Sequence, residues 1–202
     1  TIKHMQIKIC LVLALLALAA TRSYPLYKQC DSKWGSEQLG TSSNTICKAG
    51  CLMSSVAMAL TGTGRSYNPS TLNTWLKGHG GYVSGDEFVW GSVKPLGFAY
   101  EGKIANSAIG SHLSAGNIVI LNVHSGRHWV LATAISGSTV SVNDPGYSTT
   151  SYTLSEIVAG QTSVFKPASG FIGIFLNELE FLLNVNNKRQ QMMEAAGGIL
   201  EQ

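Results

Sequence analysis

The chain is short of charge. Asp, Glu, Lys and Arg make up 12% of its 202 residues, against about 25% in an average domain, so its surface must draw on Ser, Thr, Asn and Gly. The charge present is balanced. Without the N-terminal Lys3, Lys8 and Arg22, the 14 basic residues fall to 11, equal to the 11 acidic ones. Nothing in that balance marks a nucleic-acid binder. Long apolar runs are missing too. The run from Ile9 to Ala20 is 12 residues, a membrane span needs roughly 20, and no later stretch is long or apolar enough. There is no internal repeat and no low-complexity tract. There is no acceptor for N-linked sugar either, since the proline in "NPS" at Asn68 excludes that site.

The short apolar run has its own meaning. Lys3, His4 and Lys8 precede it, and small residues and "TRSYP" follow. These are the three parts of a secretory signal peptide. Met5 is the natural start, with residues 1–4 as leader, and cleavage is expected between Ala19 and Ser23. The expected organisation is a signal peptide over 1–23, a domain over 24–170 and a C-terminal helical extension over 171–202. The expected location is outside the cell or in the lumen of the secretory or endolysosomal pathway. The mature chain of about 180 residues suits one domain with a sizeable core.

That compartment is oxidising, which decides how cysteines are read. Cys10 leaves with the signal peptide, and Cys30, Cys47 and Cys51 remain, an odd count. Cys47 and Cys51 are four apart; on one helix, Cβ atoms about 5–6 Å apart are too distant for a good disulfide. Between Cys30 and Cys47 lies "DSKWGSEQLGTSSNTI", full of turn formers with little else to hold it. A bridge there is worth about 3 kcal/mol on the chain-entropy model. The expected pairing is therefore Cys30 with Cys47, leaving Cys51 free. A spare thiol in a secreted protein is an intermolecular bridge or a reactive group.

The first half reads as helical. "CLMSSVAMAL" (51–60) is small and apolar all round, the pattern of a buried helix. Asn68 caps a short helix with Pro69 at its first position, running to Lys77. "SGDE" at Ser84 reads as a capping box for a helix to about Val93, and another short helix is expected between Ser107 and Ser114. The second half changes period. Strands are expected over Asn117–Val123, His128–Ile135, Ser138–Asp144 and Ser163–Lys166. Helices followed by an antiparallel sheet make an α+β domain.

A thiol becomes a nucleophile when ionised, and a helix N-terminus and a nearby imidazolium both favour the thiolate. If its helix starts at Cys51, the first condition is met. Of the four mature histidines, His79 and His112 sit in Gly- and Ser-flanked turns, whereas His128 opens an apolar strand, an odd place for an imidazole without a role or a partner. Asp144 is a candidate partner. A hairpin loop over Ser136–Ser138 makes paired residue numbers sum to 274 and sets Asp144 opposite Val130; a loop over Ile135–Gly137 makes the sum 272 and sets Asp144 opposite His128. Both even sums keep His128 and Asp144 on one face. A carboxylate there fixes the imidazole tautomer and stabilises the imidazolium. Gln29, next to Cys30 and so tied near Cys51 by the bridge, is the candidate oxyanion donor beside the Cys51 N–H. His124 and His128 are four apart, and Cys51 could join them on a metal, but glycine in "HSGRH" is ill suited to a helix; no metal is expected.

Taken together, "YKQCDSKWGSEQLG", "AGCLMSSVAMAL" and "GRHWVLATAISGSTVSVNDPG" resemble the C39-like peptidases of the papain-like superfamily over roughly Tyr24 to Lys166. In that family a glutamine, a cysteine opening a helix, a histidine before an apolar strand and an aspartate followed by proline occur in this order. The resemblance implies a papain-like α+β fold and a cysteine peptidase with Cys51, His128, Asp144 and Gln29 as catalytic group, a peptide or protein substrate and no cofactor. It departs at Leu52 and Met53, where the family commonly has Gly-Pro, so the shape of the cleft is open. The family's best-known members process peptides within larger transporters; the expectation here is a free-standing secreted version. Trp75, Trp90 and Trp129 are expected in the core or in the cleft wall.

Two other readings stay open. The same geometry supports acyl transfer or amide hydrolysis on non-peptide substrates, and a binding module with a vestigial triad is the third. The tail "IGIFLNELEFLLNVNNKRQQMMEAA" reads as one helix, with Phe175, Leu179, Leu182, Arg189 and Met193 near one face. Nothing in the sequence indicates an oligomeric state.

Overall fold

The structure, a computed structural model, describes residues 22–168, 184–185, 187–189 and 191–192. The segment read as a signal peptide lies outside the described residues through position 21, and so do Phe175, Leu179, Leu182 and Met193 of the tail. Arg189 and its described neighbours are helical. The chain divides into two compact units, one ending at Lys166 and the other starting at Pro167. Among the described residues, no helix is long and apolar enough to cross a membrane.

Three helices come first: α1 (Ile46–Ala49), α2 (Cys51–Gly62) and α3 (Pro69–Gly78). The Thr45 side chain caps α1 by accepting from Lys48 N–H. Asn68 and Thr71 form a reciprocal capping box at the start of α3, with Pro69 in its first turn. Gly50 is the single residue between α1 and α2. A Cβ there would stand 2.5 Å from the Ile46 carbonyl oxygen, so only glycine lets α1 close before α2 opens at Cys51. Helix α2 is buried from Met53 to Leu60, and its small residues admit the sheet closely: Ser55 Oγ donates to the Trp129 carbonyl at 3.2 Å.

The helix expected from Ser84 does not form. Tyr82–Val83 (β1) and Glu87–Phe88 (β2) pair as a short antiparallel hairpin, and a 3₁₀ segment follows at Trp90–Leu96. Ser84 and Gly85 have φ of 51° and 96°, which no helix start accepts. The carboxylate of Asp86 does not cap a first turn; it accepts from Ser42 Oγ and Asn44 Nδ2, both at 2.8 Å. Buried Asn73 on α3 ties the same region together. Its Oδ1 accepts from Gly40 N–H at 3.1 Å and Tyr82 O–H at 3.0 Å, and its Nδ2 donates to the Gln38 carbonyl at 2.9 Å.

The sheet has six strands in the order β3-β8-β4-β5-β6-β7. They are β3 (Phe98–Ile104), β4 (Ile118–Val123), β5 (His128–Ser136), β6 (Thr139–Asn143), β7 (Ser151–Thr153) and β8 (Thr162–Pro167), with α4 (Ile109–Ser114) between β3 and β4. Strand β3, early in the chain and at the sheet edge, and the three-residue β7 have no counterpart in the sequence pattern read above. The pairs β4/β5, β4/β8, β5/β6 and β6/β7 are antiparallel. Alternation along β4 feeds two cores. Ile118 and Ile120 join Phe165, Leu131 and the apolar side of α2; Val119, Leu121 and Val123 join Val130, Val140, Val142, Tyr152 and Ile109 of α4. A sheet covered on both faces explains why β4 reads as a continuous apolar run.

The β5–β6 register differs from both simple hairpins. Next to the turn, Ser136 pairs with Thr139 and Ile135 with Val140, so the numbers sum to 275. Past a register shift between Ala132 and Ala134, Ala132 pairs with Val142 and Leu131 with Asn143, and the sum is 274. An odd sum carried to the end of the strands would set Asp144 opposite Leu131, on the wrong face for His128. The bulge absorbs Thr133 and returns Asp144 to the face of Val130 and His128. The even sum was the right reading at the site; the two-residue turn and the bulge were not foreseen.

Candidate active site

Cys51, half-buried, opens α2 with no side-chain cap at Gly50. It shares a cleft of about 650 Å³ with Gln29 and His128. His128 is the first residue of β5 and 5% exposed, and Asp144, just after β6, is 1% exposed. His128 Nε2 and Asp144 Oδ1 are 2.7 Å apart, which leaves Nδ1 as the ring nitrogen for a second partner. Burial works against charge on this ring, but the hydrogen bond to Asp144 and the interactions with Cys51 outweigh it, and the imidazole is pushed up to about 9. For Asp144, burial works to raise the carboxyl, yet hydrogen bonds from His128, Tyr147 N–H, Tyr152 and Gly146 N–H hold it below the usual carboxylate range.

Gln29 is 8% exposed. Its Nε2 donates to the Cys47 carbonyl at 2.6 Å, which spends one of two amide hydrogens and fixes the plane of the group. Its Oε1 is buried with no partner among the described residues. Its backbone N–H donates to the Pro145 carbonyl at 2.9 Å, so the "DPG" loop holds both Gln29 and Asp144. Cys30 and Cys47 are disulfide-bonded, and Cys51 is free. Gln29, Cys51 and His128 therefore line one cleft, with the bridge alongside and Asp144 buried behind His128.

Several neighbours were not singled out from the sequence. Gly146 packs so tightly on His128 that a Cβ would lie 2.8 Å from Cε1; no sequence pattern signals that contact. Lys28 Nζ donates to the Asp144 carbonyl at 2.8 Å and to the Tyr147 carbonyl. Tyr147 stands edge-on to the His128 ring at 5.0 Å. Tyr152 O–H donates to Asp144 Oδ2 at 2.8 Å; a lone aromatic among Ser and Thr gave little sign of it. His124, weighed above as a metal ligand with His128, instead meets Tyr152 O–H through Nε2 at 3.1 Å.

Leu52, Met53, Tyr82, Phe88 and Trp129 supply apolar wall to the cleft, and Lys48, Glu87 and Arg127 charge. Met53 is also part of the core at 2% exposure. Trp90 packs with Tyr100, Trp129 and Phe165, partly buried against the first core, as is Trp75.

A half-buried thiol at a helix start, beside an imidazole bonded to a carboxylate on an antiparallel sheet, is the arrangement of the papain-like α+β class. Residues 21–164 match the model of the Peptidase_C39 like family, and the chain belongs to that family of cysteine peptidases. A solved structure of a double glycine motif protease from an AMS/PCAT transporter, in complex with the leader peptide, is similar at 15% identity over 73% of this chain and 94% of that one, with a TM-score of 0.49. No protein with a curated description matches.

Proposed function

We propose that the protein is a secreted or lumenal cysteine peptidase that cuts peptide bonds with Cys51, His128, Asp144 and Gln29. The observation that carries the reading is the buried His128–Asp144 pair at 2.7 Å, facing the same cleft as the free Cys51. The Cys51 sulfur attacks the scissile carbonyl carbon. The negative charge that develops on the carbonyl oxygen is met by the Cys51 N–H and the second N–H of Gln29 Nε2. His128 protonates the leaving amine, the C–N bond breaks, and a thioester to Cys51 remains. Water then adds to the thioester with His128 taking its proton, and the acid and free thiol are released. Asp144 keeps the imidazole oriented and stabilises its charged form. The exposed position of Cys30 and its bridge to Cys47 suit an oxidising compartment, which supports the location.

The test is a peptide-library digest by the wild type and Cys51→Ala in parallel. Cleavage by the wild type alone supports the reading. Cleavage by both would assign the activity to another site. Cleavage by neither, with Cys51 readily alkylated, would turn the assignment to acyl transfer or non-peptide amide chemistry; cleavage by neither, with Cys51 inert, to a binding module.

A further inference from the structure

We propose that Tyr152, held in place by His124, is a positioning residue that keeps the Asp144 carboxylate ionised and aimed at His128. The proposal rests on the triad reading above and extends it by two side chains.

The Asp144 carboxylate is lopsided without Tyr152. Oδ1 accepts from His128 Nε2 at 2.7 Å, Gly146 N–H at 2.8 Å and Tyr147 N–H at 2.9 Å. Among the described residues, Oδ2 has one donor, the Tyr152 hydroxyl at 2.8 Å. The carboxylate is almost wholly buried, so water cannot replace a lost donor there, and an unpartnered buried oxygen is costly. Without that donor, Oδ2 is where a proton would settle, and a protonated Asp144 no longer balances the imidazolium.

The direction of the hydrogen bonds follows from proton count. Tyr152 has one O–H, and the carboxylate takes it. The phenol oxygen is then the acceptor toward His124 Nε2, 3.1 Å away, so His124 carries a proton on Nε2 in either charge state. A protonated His124 would strengthen Tyr152 as a donor, since charge-assisted bonds in a chain reinforce one another. The backbone is arranged for this contact. His124 and Ser125 lie at φ of 52° and 56° in the turn joining β4 to β5, and such values are uncommon outside glycine. That turn presents His124 and His128 with ring centroids 5.6 Å apart. Tyr152 itself is 4% exposed and anchored in the second core, a rigid mount for its hydroxyl. Burial and the nearby carboxylate push its own ionisation well above the ordinary phenol range, so it stays a donor.

The other groups that bear on Asp144 are accounted for. His128 faces it from β5. Lys28, from the N-terminal segment, reaches its backbone carbonyl and not its carboxylate. Tyr147, on its own loop, offers its backbone N–H. Glu156, after β7, acts on Tyr152 only at long range and is itself held by Thr153.

The test uses the whole protein with Tyr152→Phe and His124→Asn; asparagine tolerates the left-handed backbone at 124. Three quantities are read: the pH titration of the Asp144 carboxyl by carbon NMR, the pH dependence of Cys51 alkylation by iodoacetamide, and kcat and KM on a cleaved peptide. In Tyr152→Phe, Asp144 should titrate at higher pH than in the wild type, and the acid limb of the alkylation profile should follow. The kcat should fall roughly tenfold or more with KM unchanged. His124→Asn should move each quantity the same way by less, and it carries the test alone if Tyr152→Phe does not fold. Titration and alkylation curves that superimpose on the wild type would overturn the proposal. A shifted Asp144 titration in a protein that cleaves no peptide would leave the positioning role standing and remove the peptidase reading instead.

Discussion

Gly146→Ala is the sharpest probe of how tightly this site is built. The added methyl would lie 2.8 Å from His128 Cε1 and 3.4 Å from both His128 Nε2 and Gln29 Oε1. Ordinary carbon contacts are about 3.5–4.0 Å, so roughly 1 Å of space must be found. The loop cannot easily yield it. Gly146 N–H is bonded to Asp144 Oδ1, and the Pro145 carbonyl is bonded to Gln29 N–H. The imidazole is held by side-chain contacts alone, chiefly its 2.7 Å bond to Asp144, so the ring moves. A 1 Å misplacement costs about 10² in rate, and kcat/KM should fall about 100-fold. The backbone at Gly146 is not in the left-handed region, so alanine brings no conformational strain of its own. Overpacking of about 1–3 kcal/mol is partly offset by about 0.4–1 kcal/mol from the stiffer unfolded chain, and the Tm should drop by only a few degrees. The assay is kcat/KM on a cleaved peptide, the iodoacetamide rate at Cys51 and a thermal melt, on one preparation. Kinetics within twofold of the wild type would refute the steric argument, and so would a loss explained by unfolding.

The remaining expectations are briefer. Gln29→Ala should lower kcat by about 10²–10³ with a small change in KM, the usual loss for one oxyanion donor; a variant that loses affinity instead would make Gln29 a binding residue. The proton held by His128 ties stability to pH. Its folded value of about 9 lies above the unfolded value of 6.5, so its contribution is complete below about 6.5 and is lost as pH rises through 9, to at most roughly 3 kcal/mol. Asp144, held low, contributes above its unfolded value near 3.8 and loses that contribution on further acidification. Urea melts at pH 5.5, 7.5 and 9.5 should show the alkaline decline in the wild type and not in His128→Gln. Peptide mapping without reduction should recover Cys30 linked to Cys47 with Cys51 alkylated, and reduction should lower stability by about 3 kcal/mol; Cys51 in either bridge would rule it out as nucleophile.

Much of the architecture is written locally. Helix α3 announces itself through Asn68 and Pro69, because a cap and its first turn are a matter of a few adjacent residues. The buried α2 and the apolar β4 follow from side-chain character, and the odd cysteine follows from the loop that the other two close. The helix expected at Ser84 failed for an instructive reason. Ser84 and Gly85 turn the chain through positive φ instead of capping a helix, Asp86 is held by Ser42 and Asn44 from a distant loop, and no local pattern reveals partners some forty residues away. Strand β7 is three residues long, too short for its alternation to speak.

The sequence by itself determined the order of the four candidate residues and the helix start that presents Cys51, since these depend only on chain order and on neighbouring residues. Tertiary structure alone decided that Asp144 shares a face with His128, because the two-residue turn starts the hairpin on an odd sum and only a bulge at Thr133, which no composition signals, restores the even one. It alone brought Gly146 against the imidazole, turned the Gln29 amide onto Cys47, and set Tyr152 and His124 behind Asp144. Those contacts join segments far apart in the chain, and their energy comes from burial and hydrogen bonds that exist only when the sheet, the loop and the N-terminal segment have closed on one another.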